Sequence, residues 1–224
     1  MGCSEGVEYQ NRSVRRLIND AEGEPFGGNR RGILTRAIRD LDASQEEDPE
    51  ARAIVLAMLA QENPGYLAEA GKAFEESVTR CVQLNWIRLH LAEAWHKAGN
   101  LVEAFRFSSS VQREYFDGRD LHWRSVRMGE INAVALLRLG RMSDGVAAAL
   151  AICDEFSFCG DIDDLAPPYD LMETAAFIAT GDSNDEIKRA GCSILRTFSR
   201  SVELASWFNP VFVQRISAAM VGCE

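Results

Sequence analysis

Apolar residues recur at three- and four-residue spacing along most of this chain. Val14, Leu17, Ile18 and Ala21 predict a helix over 14–21. Gly23, Pro25, Gly27 and Gly28 then interrupt the pattern. A second stripe, Ile33, Leu34, Ala37, Ile38 and Leu41, predicts another helix face. The acidic connector 43–47 leads to Asp48-Pro49-Glu50, which reads as a helix start with Asp as cap and Pro at the first helical position. From there the pattern is helix, tight turn, helix. No run alternates with period two among β-branched residues, so no strand is assigned. Abundant Ala suits helices that pack closely. The fold class expected is all-α.

A spacing of turns emerges next. Gly65, Gly99, Gly140 and Gly181 lie 34, 41 and 41 residues apart. Five residues before each stands an alanine: Ala60, Ala94, Ala135 and Ala176. Four residues after each stands an acid: Glu69, Glu103, Asp144 and Asp185. Leu67, Leu101 and Met142 follow the first three glycines by two residues. Each glycine is expected to end a helix in the left-handed conformation. The alanines, with Ala70 and Ala104, let two antiparallel helices approach. One such pair cannot bury its apolar face alone, so pairs stack.

These residues resemble the tetratricopeptide repeat family. The best-matching stretch is 86–118, where Ala92, Ala94, Trp95, Gly99, Leu101, Glu103 and Ala104 fall in family order. Residues 52–80 match next, with Ala60, Gly65, Leu67, Ala70 and Phe74. The two longer intervals are similar to repeats of the kinesin-light-chain kind. The fourth repeat departs from the pattern at Ser183 and Glu186. The resemblance implies antiparallel helix pairs stacked as a right-handed superhelix, an α-solenoid. It divides the chain into an N-terminal helical, partly flexible segment (1–47), a repeat domain (48–200) and a C-terminal helix (201–224). Val202, Leu204, Ala205, Trp207, Phe208, Val211, Phe212 and Ile216 make that last segment strongly apolar. It reads as a cap on the open end of the solenoid, or as a docking surface.

Composition narrows the classes. The net charge of −10 disfavours nucleic acid as a partner, because phosphate binding needs a basic face. Arg12, Arg15, Arg16, Arg30, Arg31, Arg36 and Arg39 nevertheless form a basic segment on an acidic body. Folded as a helix-turn-helix, it would favour a regulator. No apolar run is long enough to span a membrane, and no signal peptide is evident. Gly2-Cys3 invites a lipidation reading, but Gly6 stands where the acylation motif wants Ser or Thr. The six cysteines lack metal or C-x-x-C spacing. They read as free thiols in the cytoplasm or another reducing compartment, with Cys153 and Cys192 as small core fillers.

Catalytic chemistry is hard to find. His90 and His96 fall on different faces of one helix, and His122 stands apart from both. Asp154, Glu155, Asp161, Asp163, Asp164 and Asp170 lack the order of a calcium loop and read as an acidic connector with Pro167 and Pro168. Gly27 to Gly32 reads as a joint rather than an anion cradle. No catalytic residue, metal or cofactor is expected, and the chain reads as a non-enzyme.

What the resemblance implies instead is binding in a concave groove lined by the first helix of each pair. Its candidate lining residues are Arg52, Trp86, Leu89, Glu93, His96, Lys97, Arg127, Glu130 and Arg138. Trp86, Arg127 and Arg138 suit an anchor role, while Trp86 and Leu89 equally suit the core between repeats. A Lys-and-Asn clamp for a terminal carboxylate is not recognisable. The expected function is an interaction module or scaffold subunit for a protein or peptide. The alternatives are the sensing domain of a regulator and, further off, a helical enzyme with an acidic metal site.

Overall fold

The computed structural model describes residues 12–44, 47–78, 84–117, 121–158, 168–181, 184–202 and 210–223. These residues are all-α and contain no strand. They form two compact units, Met1–Val111 and Gln112–Glu224, a division that falls inside the stretch expected as a single repeat domain.

The first unit contains α1 (Arg12–Glu22), α2 (Gly28–Ala43), α3 (Pro49–Glu62), α4 (Leu67–Val78), α5 (Leu84–Lys97) and α6 (Leu101–Ser108). The start of α3 follows the sequence: Asp48 accepts from the Ala51 N–H at 3.0 Å and Pro49 opens the helix. Three antiparallel hairpins result, each tied by a side-chain bond to a backbone carbonyl. Arg30 Nε on α2 donates to the Ala21 carbonyl on α1 at 3.1 Å. Ser77 Oγ at the end of α4 donates to the Pro49 carbonyl at the start of α3 at 3.0 Å. Arg88 on α5 donates to the Ser110 carbonyl beyond α6 at 3.0 Å. Helix α3 is buried almost all round, from Ala53 to Gln61 without interruption, because α2, α4 and α5 all pack on it. Its alanines make that possible: Ala51, Ala53, Ala57 and Ala60 leave room for neighbouring backbones, while Ile54, Leu56 and Met58 fill the gaps.

The second unit contains α7 (Arg113–Asp117), α8 (His122–Arg138), α9 (Met142–Phe158), α10 (Tyr169–Thr180), α11 (Asp185–Val202) and α12 (Pro210–Val221). Helices α8 and α9 form one hairpin, α10 and α11 the next, and α12 packs on α10. The hairpins are close at glycine. A Cβ on Gly145 of α9 would meet Leu137 Cγ at 2.8 Å, and one on Gly191 of α11 would meet the Ala175 carbonyl at 2.7 Å. The core joins Val126, Ala133, Val134 and Leu137 of α8 to Leu171, Met172 and Ala175 of α10, Ile194, Leu195 and Phe198 of α11, and Phe212 and Ile216 of α12.

The four turn glycines do not behave alike. Gly99 and Gly140 take φ of 77° and 78° and close the same C-terminal motif. After α5, Gly99 and Asn100 donate to the carbonyls of His96 and Trp95; after α8, Gly140 and Arg141 donate to those of Leu137 and Leu136. Gly65 and Gly181 depart from the left-handed expectation. At Gly65 the turn is made by extended Asn63 and a short 3-10 segment, Pro64–Tyr66, with Asn63 accepting from the Gly65 N–H. Gly181 is extended, at φ −74° and ψ 173°.

The cysteines also depart from expectation. Cys192 and Cys223 are joined as a disulfide, so they are not free thiols. They are 31 residues apart, with no local spacing to announce the pair, and α12 carries one back to the other. Cys153 is the free cysteine among the described residues. Burial, and then the charge of Asp154, push its thiol up to about 12, as a core filler's would be. Cys3, Cys81 and Cys159 lie outside the described residues, as do Gly2, the apolar segment 203–209 and Asp161, Asp163 and Asp164 of the acidic stretch.

Candidate functional site

In the first unit a polar relay threads four helices. Arg30 on α2 is 5% exposed, and its guanidinium donates to Glu62 Oε1 at 3.1 Å and to Gln61 Oε1 at 2.9 Å, both on α3. Arg31 lies 3.5 Å from the other oxygen of Glu62. The bond from Arg30 orients the Gln61 amide, whose Nε2 then donates to Glu93 on α5 and contacts His90 Nδ1 at 3.0 Å. An NH2 group only donates, so Nδ1 must accept. The proton therefore sits on Nε2, 3.3 Å from Glu22 Oε1 on α1. A single orienting bond from Arg30 thus sets the tautomer of a histidine two helices away.

Aromatic groups frame this relay. Trp86, half-buried, stacks on the His90 ring with centroids 6.1 Å apart. Phe26, in the turn between α1 and α2, lies under Lys97 Nζ at 3.3 Å and beside the Arg30 guanidinium at 4.6 Å. The α1–α2 turn therefore reaches the C-terminal end of α5.

In the second unit Glu130 of α8 is 3% exposed and caps α10 from a distance. Its Oε1 accepts the backbone N–H groups of Asp170 and Leu171 at 3.1 and 3.3 Å, where Pro168 supplies no side-chain cap. Its Oε2 meets Arg127 Nη1 at 2.5 Å, and Arg127 also reaches Asp170 Oδ2 at 3.3 Å. Burial raises the Glu130 carboxyl above its ordinary value, opposed by Arg127 and the Leu171 N–H. One turn further on, Arg138 donates to Thr174 Oγ1 at 3.2 Å.

The candidate groove residues are thus dispersed by role. In the first unit, Arg52 is half-buried and bonded to Asp42. Trp86, Glu93, His96 and Lys97 share α5, with Trp86, Glu93 and Lys97 engaged by the contacts above. Leu89 is a correction: it is fully buried and presents nothing to a ligand. In the second unit Arg127 and Glu130 belong to one internal network, and Glu130 is likewise too buried to line an open groove. Arg138 is exposed. Of the remaining histidines and acids, His122 Nε2 is 3.9 Å from Glu155, which also pairs with Arg113. Among the described residues, no group of three or more His, Cys, Asp or Glu is placed to hold a metal ion.

The sequence reading missed Glu22, Gln61, Glu62 and Asp170 as members of these networks. Gln61 had a usable signal: it is the first polar side chain after the unbroken apolar run from Ala53 to Ala60. A polar group so placed needs a buried partner.

The fold and these networks define an all-α protein of short helical hairpins whose buried charges tie neighbouring hairpins together. Comparison with protein-family models, with curated proteins and with solved structures finds no match. Among the described residues, no helix is long and apolar enough to cross a membrane.

Proposed function

We propose that this chain is a non-catalytic interaction module of the tetratricopeptide-like kind, serving as a scaffold or assembly subunit for a protein or peptide partner. The observation that carries the reading is the packing of first helices. In each unit the first helices of successive hairpins lie against one another, α3 with α5 and α8 with α10. That arrangement is what a row of repeat pairs requires. The turn motifs at Gly99 and Gly140 add local support, being equivalent residue by residue. On this reading the contact residues are those left exposed or half-buried on the first helices, Trp86, His96 and Lys97 on α5 and Arg138 on α8.

The test uses the full chain as bait in its native source, with Lys97→Glu and Arg138→Glu variants, singly and together. Both side chains are exposed, so helicity should be kept, as circular dichroism would verify. A partner held by wild type and lost by the folded double variant supports the reading. A partner held equally by both sinks it.

A second reading, the sensing domain of a regulator, has one observation in its favour. Residues 12–43 do form two helices joined by a short turn, with Arg12, Arg15, Arg16, Arg36 and Arg39 exposed. Against it, Arg30 of the same segment is turned inward onto Glu62, and Arg31, although 57% exposed, pairs with the same carboxylate.

A further inference from the structure

Helix α12 lies at the C-terminal end of the second unit. It is held there by three kinds of contact. Phe212 packs edge-on to Tyr169 of α10 with centroids 4.7 Å apart. Arg215 pairs with Glu173 of α10 at 3.0 Å. Arg196 of α11 donates to the carbonyl of Cys223, whose sulfur is bonded to Cys192 of α11. The first is a modest apolar contact, and the second is exposed and worth little. Phe212, Ile216 and Ala219 of α12 are also buried in the core of the unit, and the covalent bond adds to that seat by closing a long loop of chain.

We propose that the Cys192–Cys223 pair is a redox-sensitive clasp that fixes α12 on α10 and α11 and is opened by a dithiol reductant. One thiolate of the reductant attacks a sulfur of the pair, forms a mixed disulfide and expels the other cysteine as a thiolate. The second thiol of the reductant then displaces the first cysteine. The protein disulfide is reduced to two thiols and the dithiol is oxidised to a disulfide, with two electrons and two protons passing to the protein. Both sulfurs lie in residues 7–8% exposed, so attack follows a local lifting of α12. The bond therefore responds slowly while α12 is seated and loosens it for as long as the two thiols stay reduced. Opening frees Phe212, Ile216 and Ala219, now buried, and uncovers Tyr169 and Glu173 of α10. The result is an exposed surface, apolar on α12 and mixed on α10, that the oxidised protein lacks. This inference does not rest on the peptide-binding reading above.

The test takes the full chain purified without reductant. Maleimide labelling after unfolding, read by mass spectrometry, should spare Cys192 and Cys223 and mark Cys153. Prior treatment with dithiothreitol should make all three label. Hydrogen exchange in the native state should then show α12 amides losing at least tenfold protection on reduction, while those of α8 keep theirs. Cys223→Ser should exchange like the reduced protein with or without dithiothreitol. Labelling of Cys192 and Cys223 in the untreated protein overturns the proposal. So does unchanged α12 protection in wild type after reduction is verified, whatever the variant does.

Discussion

Replacing Glu130 with alanine should destabilise the second unit by about 2–6 kcal/mol, and the magnitude can be built from its bonds. Its carboxylate receives two N–H groups at the start of α10, which has no side-chain cap of its own. A helix cap is worth about 1 kcal/mol, rising to about 2 in proteins. The Leu171 N–H is buried, and leaving such a donor without an acceptor costs about 1–3 kcal/mol. Arg127 is not stranded, because Asp170 Oδ2 remains at 3.3 Å and its side chain is 26% exposed. Its lost ion pair therefore adds at most about 1 kcal/mol. Glu130→Gln keeps an acceptor for both N–H groups but sets an NH2 group against the Arg127 guanidinium, which can turn to Asp170, so it should cost less than alanine. The assay is urea denaturation of the full chain followed by far-UV circular dichroism, with m unchanged between variants.

The pH dependence gives an independent handle on the same residue. The folded-state value is raised, so the stability associated with the protonated acid is present below 4.5 and is lost as pH rises through the folded value. Gln carries no such penalty, so Glu130→Gln should gain on wild type as pH increases from about 4 toward neutrality. The reasoning is refuted if the alanine variant lies within about 0.5 kcal/mol of wild type, the range of an ordinary surface change. It is equally refuted if Gln costs as much as Ala, since then the charge and not the capping carries the effect.

Three further outcomes follow from other contacts. Arg30→Ala should cost about 1–3 kcal/mol, because it leaves the buried Glu62 carboxylate with only the exposed Arg31 and frees the Gln61 amide to flip; denaturant unfolding reads this, and a loss under about 0.5 kcal/mol would show the relay to be incidental. Gly145→Ala should cost about 1–3 kcal/mol, since its methyl would sit 2.9 Å from the Leu137 backbone nitrogen, whereas Gly71→Ala meets nothing within 4 Å and should stabilise by about 0.5–1 kcal/mol. Gly99→Ala should lower stability by about 1–2 kcal/mol through its positive φ, while Gly181→Ala, at a negative φ, incurs no such strain; comparison of their thermal midpoints checks the difference.

The helices were legible because their signals are local. Asp48-Pro49 started α3 as read, and the spacing around Gly99 and Gly140 marked real hairpin turns. Gly65 and Gly181 show the limit: a glycine near a helix end reports a turn but not its conformation, and neighbours such as Asn63 and Pro64 decided it. Site assignment fared less well for a physical reason. Helix α5 has buried residues on most of its surface, including Asn85, Ile87, Leu89, His90 and Leu91. A helix packed on several sides has no single wet face, so periodicity cannot say which residues line a groove. The Glu130 cap and the Cys192–Cys223 bond span 40 and 31 residues. Such contacts leave no trace in a short window of sequence.

The relay around Gln61 has a consequence for how the chain is made. Glu22 and His90 are 68 residues apart, with Arg30 and Gln61 between them in order. At a synthesis rate of about 5–20 residues per second, His90 leaves the ribosome roughly 3–14 seconds after Glu22. Through that interval the α1–α2 hairpin carries Glu22 without its histidine, and α3 carries Gln61 without Glu93. Neither hairpin can settle its buried polar groups alone. The last partners of these polar groups therefore arrive only with α5, and that helix completes the network that joins it to α1, α2 and α3.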